Sequence, residues 1–326
     1  MNNKVCCFPF TDLNVFRYNF YTPCCPNWLD EQYWYYAKYN DSAYDIWFNE
    51  KFQKLRTDWL TNRQELCKLC PSYNNNVISS ENPLRQYPET IAWGNLQACN
   101  LKCYTCRKEF LRNEIIHPTH QRIIDAFYPH AKRIILCHFG EPFFSEWYLN
   151  MLKNLDYPHL KIELFTNALL MPSKWDSLKK IHNQINSLVI SIDAATKETY
   201  EKVRYPGKWE DLQKALQFIN NNVKFNYLQL NFVVRKINYK EMPLFVEMCE
   251  QFNNVDRICF QLFSPTWHTP DEYNKELPYH LNDYKLILNE VMQHPKVHVD
   301  QLLGYQTREI TKIPNEQILK EINNGC

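Results

Sequence analysis

The chain has 326 residues, a net charge of +1 and only five glycines. That length accommodates one large domain, or a barrel with a small module attached. Near-neutral charge gives no footprint for nucleic acid or an acidic partner, and so few glycines exclude the phosphate-cradling loops of P-loop and dinucleotide-binding folds.

No apolar run reaches the roughly 18 residues that a membrane span needs. The N-terminus, Met1 to Cys6, lacks the apolar core of a signal peptide. The expected location is cytoplasmic. There, the 13 cysteines argue for metal or redox chemistry rather than structural disulfides.

Residues 1–88 are expected to form a first, cysteine-rich module with its linker. It opens Cys6-Cys7-Phe8-Pro9-Phe10, alternates through Asp12 to Phe16 and reaches Pro23-Cys24-Cys25-Pro26, a pattern that fits two short strands joined as a hairpin. Ile46, Trp47, Phe52, Leu55, Trp59 and Leu60 then recur at helical spacing. Cys67-Lys68-Leu69-Cys70 closes the module, and the stretch rich in Asn, Ser and Pro from Ser72 to Pro88 reads as a linker. Cys6, Cys24, Cys67 and Cys70 would make one complete four-thiolate site, for zinc or an iron–sulfur cluster. Cys7 or Cys25 could each replace its neighbour as a ligand.

Residues 89–265 alternate strand and helix, the pattern of a parallel α/β fold. Expected strands are Ile91–Gln97, Arg133–His138, Lys161–Asn167, Ser187–Asp193, Leu228–Arg235 and Arg257–Phe263. Expected helices between them are Glu109–Phe127, Phe144–Leu155, Ser173–His182, Lys197–Val203, Lys208–Asn222 and Tyr239–Phe252. After the first strand come Cys99, Cys103 and Cys106, spaced C-x3-C-x2-C on one tight loop. Three thiolates cannot fill a four-ligand site by themselves. They suit a cluster that leaves one iron open to a non-protein ligand, against a zinc site or buried free cysteines as the alternatives.

Functional groups on such folds sit at the C-terminal ends of strands. The second strand ends in Cys137-His138-Phe139-Gly140-Glu141-Pro142, the third in Thr166-Asn167-Ala168, and the fourth in Ser191-Ile192-Asp193. Ser191 and Asp193 are expected to share the interior face of their strand. Thr196 and Thr199 are placed to cap the helix that follows, which leads through Tyr200 to Arg204. Residues 266–326 are expected to close the sheet or barrel, with a helix over Leu281–Met292 and a seventh strand over Lys296–Leu303.

The loop of Cys99, Cys103 and Cys106 resembles the signature of radical S-adenosylmethionine (SAM) enzymes. Gly140-Glu141-Pro142 resembles that family's Gly-Gly-Glu-Pro motif, with Phe139 at the first glycine. Asn167 stands as in its Thr-Asn-Gly, with Ala168 for the glycine, and Ser191 to Arg204 resembles its Ser-x-Asp-Gly-x-Thr-x-x-x-Tyr-x-x-x-Arg segment. The resemblance implies a partial (β/α)6 barrel and a [4Fe–4S] cluster on the three cysteines. It implies reductive cleavage of SAM to a 5′-deoxyadenosyl radical, which abstracts a hydrogen atom from substrate. Gly140, Glu141, Asn167, Ser191 and Arg204 would contact SAM, Tyr104 would take the place of the family's adenine-packing aromatic, and Asp193 would face substrate.

Residues 1–70 resemble the SPASM/twitch auxiliary-cluster module of such enzymes in Cys6/Pro9/Phe10, Pro23-Cys24-Cys25, Ile46-Trp47 with Arg56, and Cys67/Cys70. Here the module precedes the barrel instead of following it. It implies an auxiliary [4Fe–4S] cluster and an oxidoreductase acting on a peptide or sugar-like small molecule, supplied by an electron donor such as flavodoxin or ferredoxin. A peptide maturase that crosslinks or epimerises is the related alternative, although no winged-helix leader-binding segment is evident. A non-catalytic zinc or iron–sulfur protein is the alternative of another class. Epimerisation would need a hydrogen-donating thiol, for which Cys137 and Cys259, at or near strand ends, are the candidates, with Cys249 on a helix.

Overall fold

The structure is a computed structural model that describes residues 4–16, 19–24, 29–67, 77–79, 84–106, 114, 116–136, 139–252, 254–262, 275–278 and 281–300. The chain divides into two compact units. The first comprises Met1–Ala98, Leu111–Phe165 and Asn183–Asn186, and the second comprises Cys99–Phe110, Thr166–His182 and Ser187–Cys326.

In the first unit, β1 (Lys4–Cys6) precedes a single helical turn, α1 (Phe8–Thr11), and then β2 (Asp12–Val15), β3 (Phe20–Thr22) and β4 (Tyr35–Tyr36) follow. The expected hairpin is β2 against β3, antiparallel, with Val15 opposite Tyr21. Helices α2 (Ala43–Trp47) and α3 (Glu50–Cys67) come next, then β5 (Val77–Ser79), which pairs antiparallel with β1. Ser42 and Asp45 start α2 with a reciprocal capping box.

Among the described residues, the buried apolar positions of α2 and α3 are Ala43, Ile46, Trp47, Phe52, Leu55 and Trp59, whereas Leu60, expected in the same series, is exposed. Arg56 lies buried among them, its guanidinium 4.2 Å over the Trp47 ring. It donates to the carbonyls of Pro9 and Trp47, at 2.8 and 2.9 Å. Burial pulls its pKa down to about 9.

The strand β6 (Thr90–Trp93) is buried at every position, as a parallel strand covered on both faces should be. Then come α4 (Pro118–Phe127), β7 (Arg133–Leu136), α5 (Glu146–Lys153) and β8 (Lys161–Thr166). β6, β7 and β8 run parallel, with Trp93 opposite Leu136 and Leu136 opposite Leu164.

β2 hydrogen-bonds in parallel with β6, Val15 opposite Trp93, so the N-terminal segment extends the same sheet. A four-residue strand carries no sequence mark of its partner. The expected helix from Glu109 also starts later, at Pro118, which is set at the first helical position by the cap at His117.

The second unit holds α6 (Met171–Lys174), a 3₁₀ stretch over Trp175–Gln184, β9 (Ile185–Ser191), α7 (Lys197–Val203), α8 (Trp209–Asn222) and β10 (Tyr227–Val234). It continues with α9 (Met242–Glu250), β11 (Arg257–Leu262), α10 (Asn282–Val291) and β12 (Val297–Asp300). Strands β9, β10, β11 and β12 are parallel in that order. The seventh strand predicted from sequence is β12, although it ends at Asp300 among the described residues.

The chain is thus an α/β protein whose sheets are mostly parallel. Among the described residues no helix is long and apolar enough to cross a membrane.

Candidate functional site

The loop from Cys99 to Cys106 lies in the second unit and is held by backbone hydrogen bonds to the end of α7. Lys102 N–H donates to the Tyr205 carbonyl at 2.7 Å, and Tyr104 N–H to the Val203 carbonyl at 2.9 Å. A tight turn follows, in which Cys106 N–H donates to the Cys103 carbonyl at 3.1 Å. Cys103 is buried, while Cys99 and Cys106 are half-buried. Leu101 N–H points at Cys99 Sγ from 3.4 Å.

Charge enters from α7. Arg204 Nη1 lies 3.5 Å from Cys103 Sγ, and Arg204 Nη2 lies 2.6 Å from the Asp193 carboxylate. Burial works against the guanidinium charge, but Asp193 and Cys103 hold its pKa above the ordinary arginine value. Burial pushes the Cys103 thiol up, and Arg204 opposes that shift. A cation beside a thiol favours the thiolate, which is the form that binds metal.

One expectation about this segment changes. Strand β9 ends at Ser191, and Asp193 takes a left-handed φ of 63°, so strand alternation does not carry it to the face of Ser191. The Asp193 side chain has no exposed surface; one oxygen accepts from Val233 N–H at 2.8 Å and the other pairs with Arg204. Asp193 pairs with Arg204 in the interior, and Arg204 in turn reaches Cys103 of the loop. Ser191 is half-buried at the end of β9, opposite Asn231 of β10.

Asn167 reaches the loop directly. Its amide donates to Asn100 Oδ1 at 2.9 Å and lies 3.9 Å from Cys99 Sγ. Ala168 behind it has a φ of 68°, the left-handed conformation for which the resembling family uses glycine. Tyr104, which is 53% exposed, carries Arg235 over its ring at 3.8 Å and donates its hydroxyl to Glu276 at 3.2 Å. Arg235 Nη2 pairs with the same Glu276 at 2.7 Å. Nothing in the local spacing marks Glu276, 172 residues from Tyr104. Arg235, just past the end of β10, stood only as a strand-end residue.

In the first unit, Gly140 has a φ of +80°, and a Cβ there would stand 2.7 Å from the Ala98 carbonyl oxygen and 2.9 Å from that of Leu96. Only glycine permits this approach to the backbone that runs into Cys99. Glu141 N–H donates to the Ala98 carbonyl at 2.9 Å, and the buried Glu141 carboxylate accepts from Phe143 N–H at 3.2 Å. Phe139, at the family's first glycine, packs its ring edge against Phe16.

The remaining candidates lie apart. Cys259 is the third residue of β11 and fully buried. Cys249 is buried on α9, and burial pushes its thiol well up. Cys137, Cys70 and Cys25 fall outside the described residues. Cys6 ends β1, Cys24 packs beside Leu29, Tyr33 and Leu55, and Cys67 ends α3.

Among the described residues no three His, Cys, Asp or Glu side chains converge where one metal ion could sit. A cubane cluster makes no such demand, because each thiolate binds a different iron. The loop's surroundings fit such a group. Arg204 Nε and Tyr200 Oη are buried without a hydrogen-bond partner among the described residues, and Cys103 and Asp193 contribute to the electrostatic surroundings of Tyr200. Buried donors left unsatisfied cost about 1–3 kcal/mol each, which an anionic acceptor at the loop would remove.

Three thiols on one loop, flanked by such donors on a parallel α/β scaffold, define a candidate site for an iron–sulfur cluster with an open iron. Comparison with known proteins supports the radical SAM superfamily. The chain is 26% identical over 167 residues to a probable GTP 3',8-cyclase of Methanocaldococcus jannaschii, covering 49% of this chain and 54% of the relative. It is 27% identical over 165 residues to the GTP 3',8-cyclase of Desulforamulus reducens, covering 47% and 49%. The chain therefore spans about half the length of the curated relatives it matches. The crystal structure of Streptococcus suis SuiB bound to precursor peptide SuiA shares its fold with a TM-score of 0.50 at 17% identity, covering 85% of this chain and 68% of SuiB. No family model matches.

Proposed function

We propose that the chain is a radical SAM oxidoreductase that abstracts a hydrogen atom from a peptide or sugar-like substrate. The observation that carries this is the cysteine loop itself, with Arg204 at Cys103, Asn167 beside Cys99, and two buried donors awaiting an acceptor. Cys99, Cys103 and Cys106 would hold a [4Fe–4S] cluster, and β6 to β11 would be the strands of a partial (β/α)6 barrel. When bound, the cluster and SAM would supply reductive cleavage and a hydrogen-abstracting radical.

The chain's own residues have distinct tasks in this reading. Gly140 lets the Glu141 segment lie close to the Leu96–Ala98 backbone, so that Glu141 can take the amino group of SAM. Asn167 orients the loop at Asn100 and is available to SAM together with Ser191. Tyr104, braced by Arg235 and Glu276, offers an aromatic face beside the cysteines. Cys6, Cys24, Cys67 and Cys70 would hold an auxiliary cluster, which would take up the electron given up when the substrate radical is oxidised. A flavodoxin or ferredoxin would deliver the electron that starts turnover.

Anaerobic reconstitution tests the proposal. About eight irons per chain are expected, and SAM cleavage on reduction. Replacing Cys99, Cys103 and Cys106 with Ala should leave about four irons and abolish cleavage. Bound zinc without cleavage would sink the enzymatic reading in favour of a metal-binding protein. Cyclisation of GTP is a second reading, favoured by the 167 residues matched to the archaeal relative, so GTP belongs among the substrates assayed.

A further inference from the structure

We infer that Tyr200 and Arg204 are outer donors to the iron–sulfur site at Cys103 and that, with Asp193 as counter-charge, they set its reduction potential. The inference rests on the proposed cluster at Cys99, Cys103 and Cys106.

Tyr200 and Arg204 stand one helical turn apart on α7, joined by a 2.8 Å bond from Arg204 N–H to the Tyr200 carbonyl. Side chains at this spacing share a face. The end of that helix is where the loop backbone is tied, at Val203 and Tyr205. The Tyr200 hydroxyl reaches the loop's flank: a Cβ on Gly207 would stand 3.1 Å from Tyr200 Oη and 3.3 Å from Leu101 Cδ2. One of the chain's few glycines thus leaves room for the hydroxyl beside Leu101. Tyr200 has no exposed surface, and neither its hydroxyl nor Arg204 Nε has a partner among the described residues.

The electrostatics give each residue a sign. Reduction adds one electron, delivered from outside, to the cluster, and no bond at these three residues forms or breaks. Hydrogen bonds to cluster sulfurs and nearby positive charge favour the reduced state and raise the potential. Asp193 lies on the far side of Arg204 from Cys103 in the chain of contacts and offsets its charge. Removing the Tyr200 hydroxyl should therefore lower the potential, and neutralising Asp193 should raise it.

The test is a dithionite titration of the reconstituted full chain, followed by electron paramagnetic resonance. The signal to follow is the one that the Cys99, Cys103 and Cys106 to Ala variant loses. Tyr200→Phe should shift the reduction equilibrium about tenfold toward the oxidised form, about 59 mV downward. Asp193→Asn should shift it upward. Because Asp193→Asn leaves a buried guanidinium uncompensated, Tyr200→Phe, which keeps packing and charge, is the deciding variant. A Tyr200→Phe midpoint equal to wild type overturns the inference and leaves the cluster standing. A wild-type chain that never shows the assigned signal overturns the cluster proposal itself.

Discussion

Replacing Gly140 with alanine tests whether the turn after β7 is fixed by backbone contact. The new Cβ would stand 2.7 and 2.9 Å from two carbonyl oxygens, and neither can turn away as a side-chain tip could. The φ of +80° adds a left-handed penalty of about 1–2 kcal/mol for a residue with a Cβ. Relieving two backbone contacts costs about as much again. The expected loss is about 3 kcal/mol, which for a chain of this size lowers the melting temperature by roughly 4 °C. Because Leu96 to Ala98 leads directly into Cys99, iron retention should fall as well. Urea unfolding followed by circular dichroism measures the first effect, and iron content after reconstitution the second. A variant within about 0.5 kcal/mol of wild type would refute the claim that close backbone approach holds this turn.

The same physics predicts the opposite sign at Ala168, whose φ is 68°: Ala168→Gly should gain about 0.5–1 kcal/mol in urea unfolding. Glu241 accepts from the N–H groups of Ala195 and Thr196 and from the hydroxyls of Thr196 and Thr199, so Glu241→Ala should cost about 3 kcal/mol and loosen α7, read as faster amide exchange over residues 197–204. Burial raises the Asp12 carboxyl to about 6, with Thr11 and Arg133 opposing. The folded state therefore holds the proton more tightly than the unfolded chain, and stability should fall as pH rises from about 4 to about 6. Asp12→Asn should flatten that slope, by about 3 kcal/mol at neutral pH; an unchanged slope would show that the carboxyl is not the source.

Much of the scaffold was legible because parallel strands and amphipathic helices write their period into the chain. Strands β7, β8, β10 and β11 start within a residue of their sequence-based positions, and α7 and α8 match at nearly every residue. The helix expected over Ser173–His182 shows the limit: most of it is a 3₁₀ stretch, Trp175–Gln184, broken at Leu178, a change of hydrogen bonding that apolar spacing does not encode. Asp193 shows another, because alternation placed its side chain by a strand that had already ended. The cysteine loop was visible through spacing alone. Its partners were less so: the Arg204 contact to Cys103 spans 101 residues, and that of Tyr104 to Glu276 spans 172.

Those separations bear on the order of assembly. The loop is shaped by bonds to Val203 and Tyr205, about a hundred residues later in the chain. Closing so long a span costs conformational entropy before any contact repays it. Until the end of α7 is in place, the loop that carries the three thiols lacks these backbone partners. Under the proposed cluster, metal loading would follow folding: the loop is shaped by finished tertiary structure, and a nascent chain that has emerged only as far as Cys106 lacks the partner that shapes it.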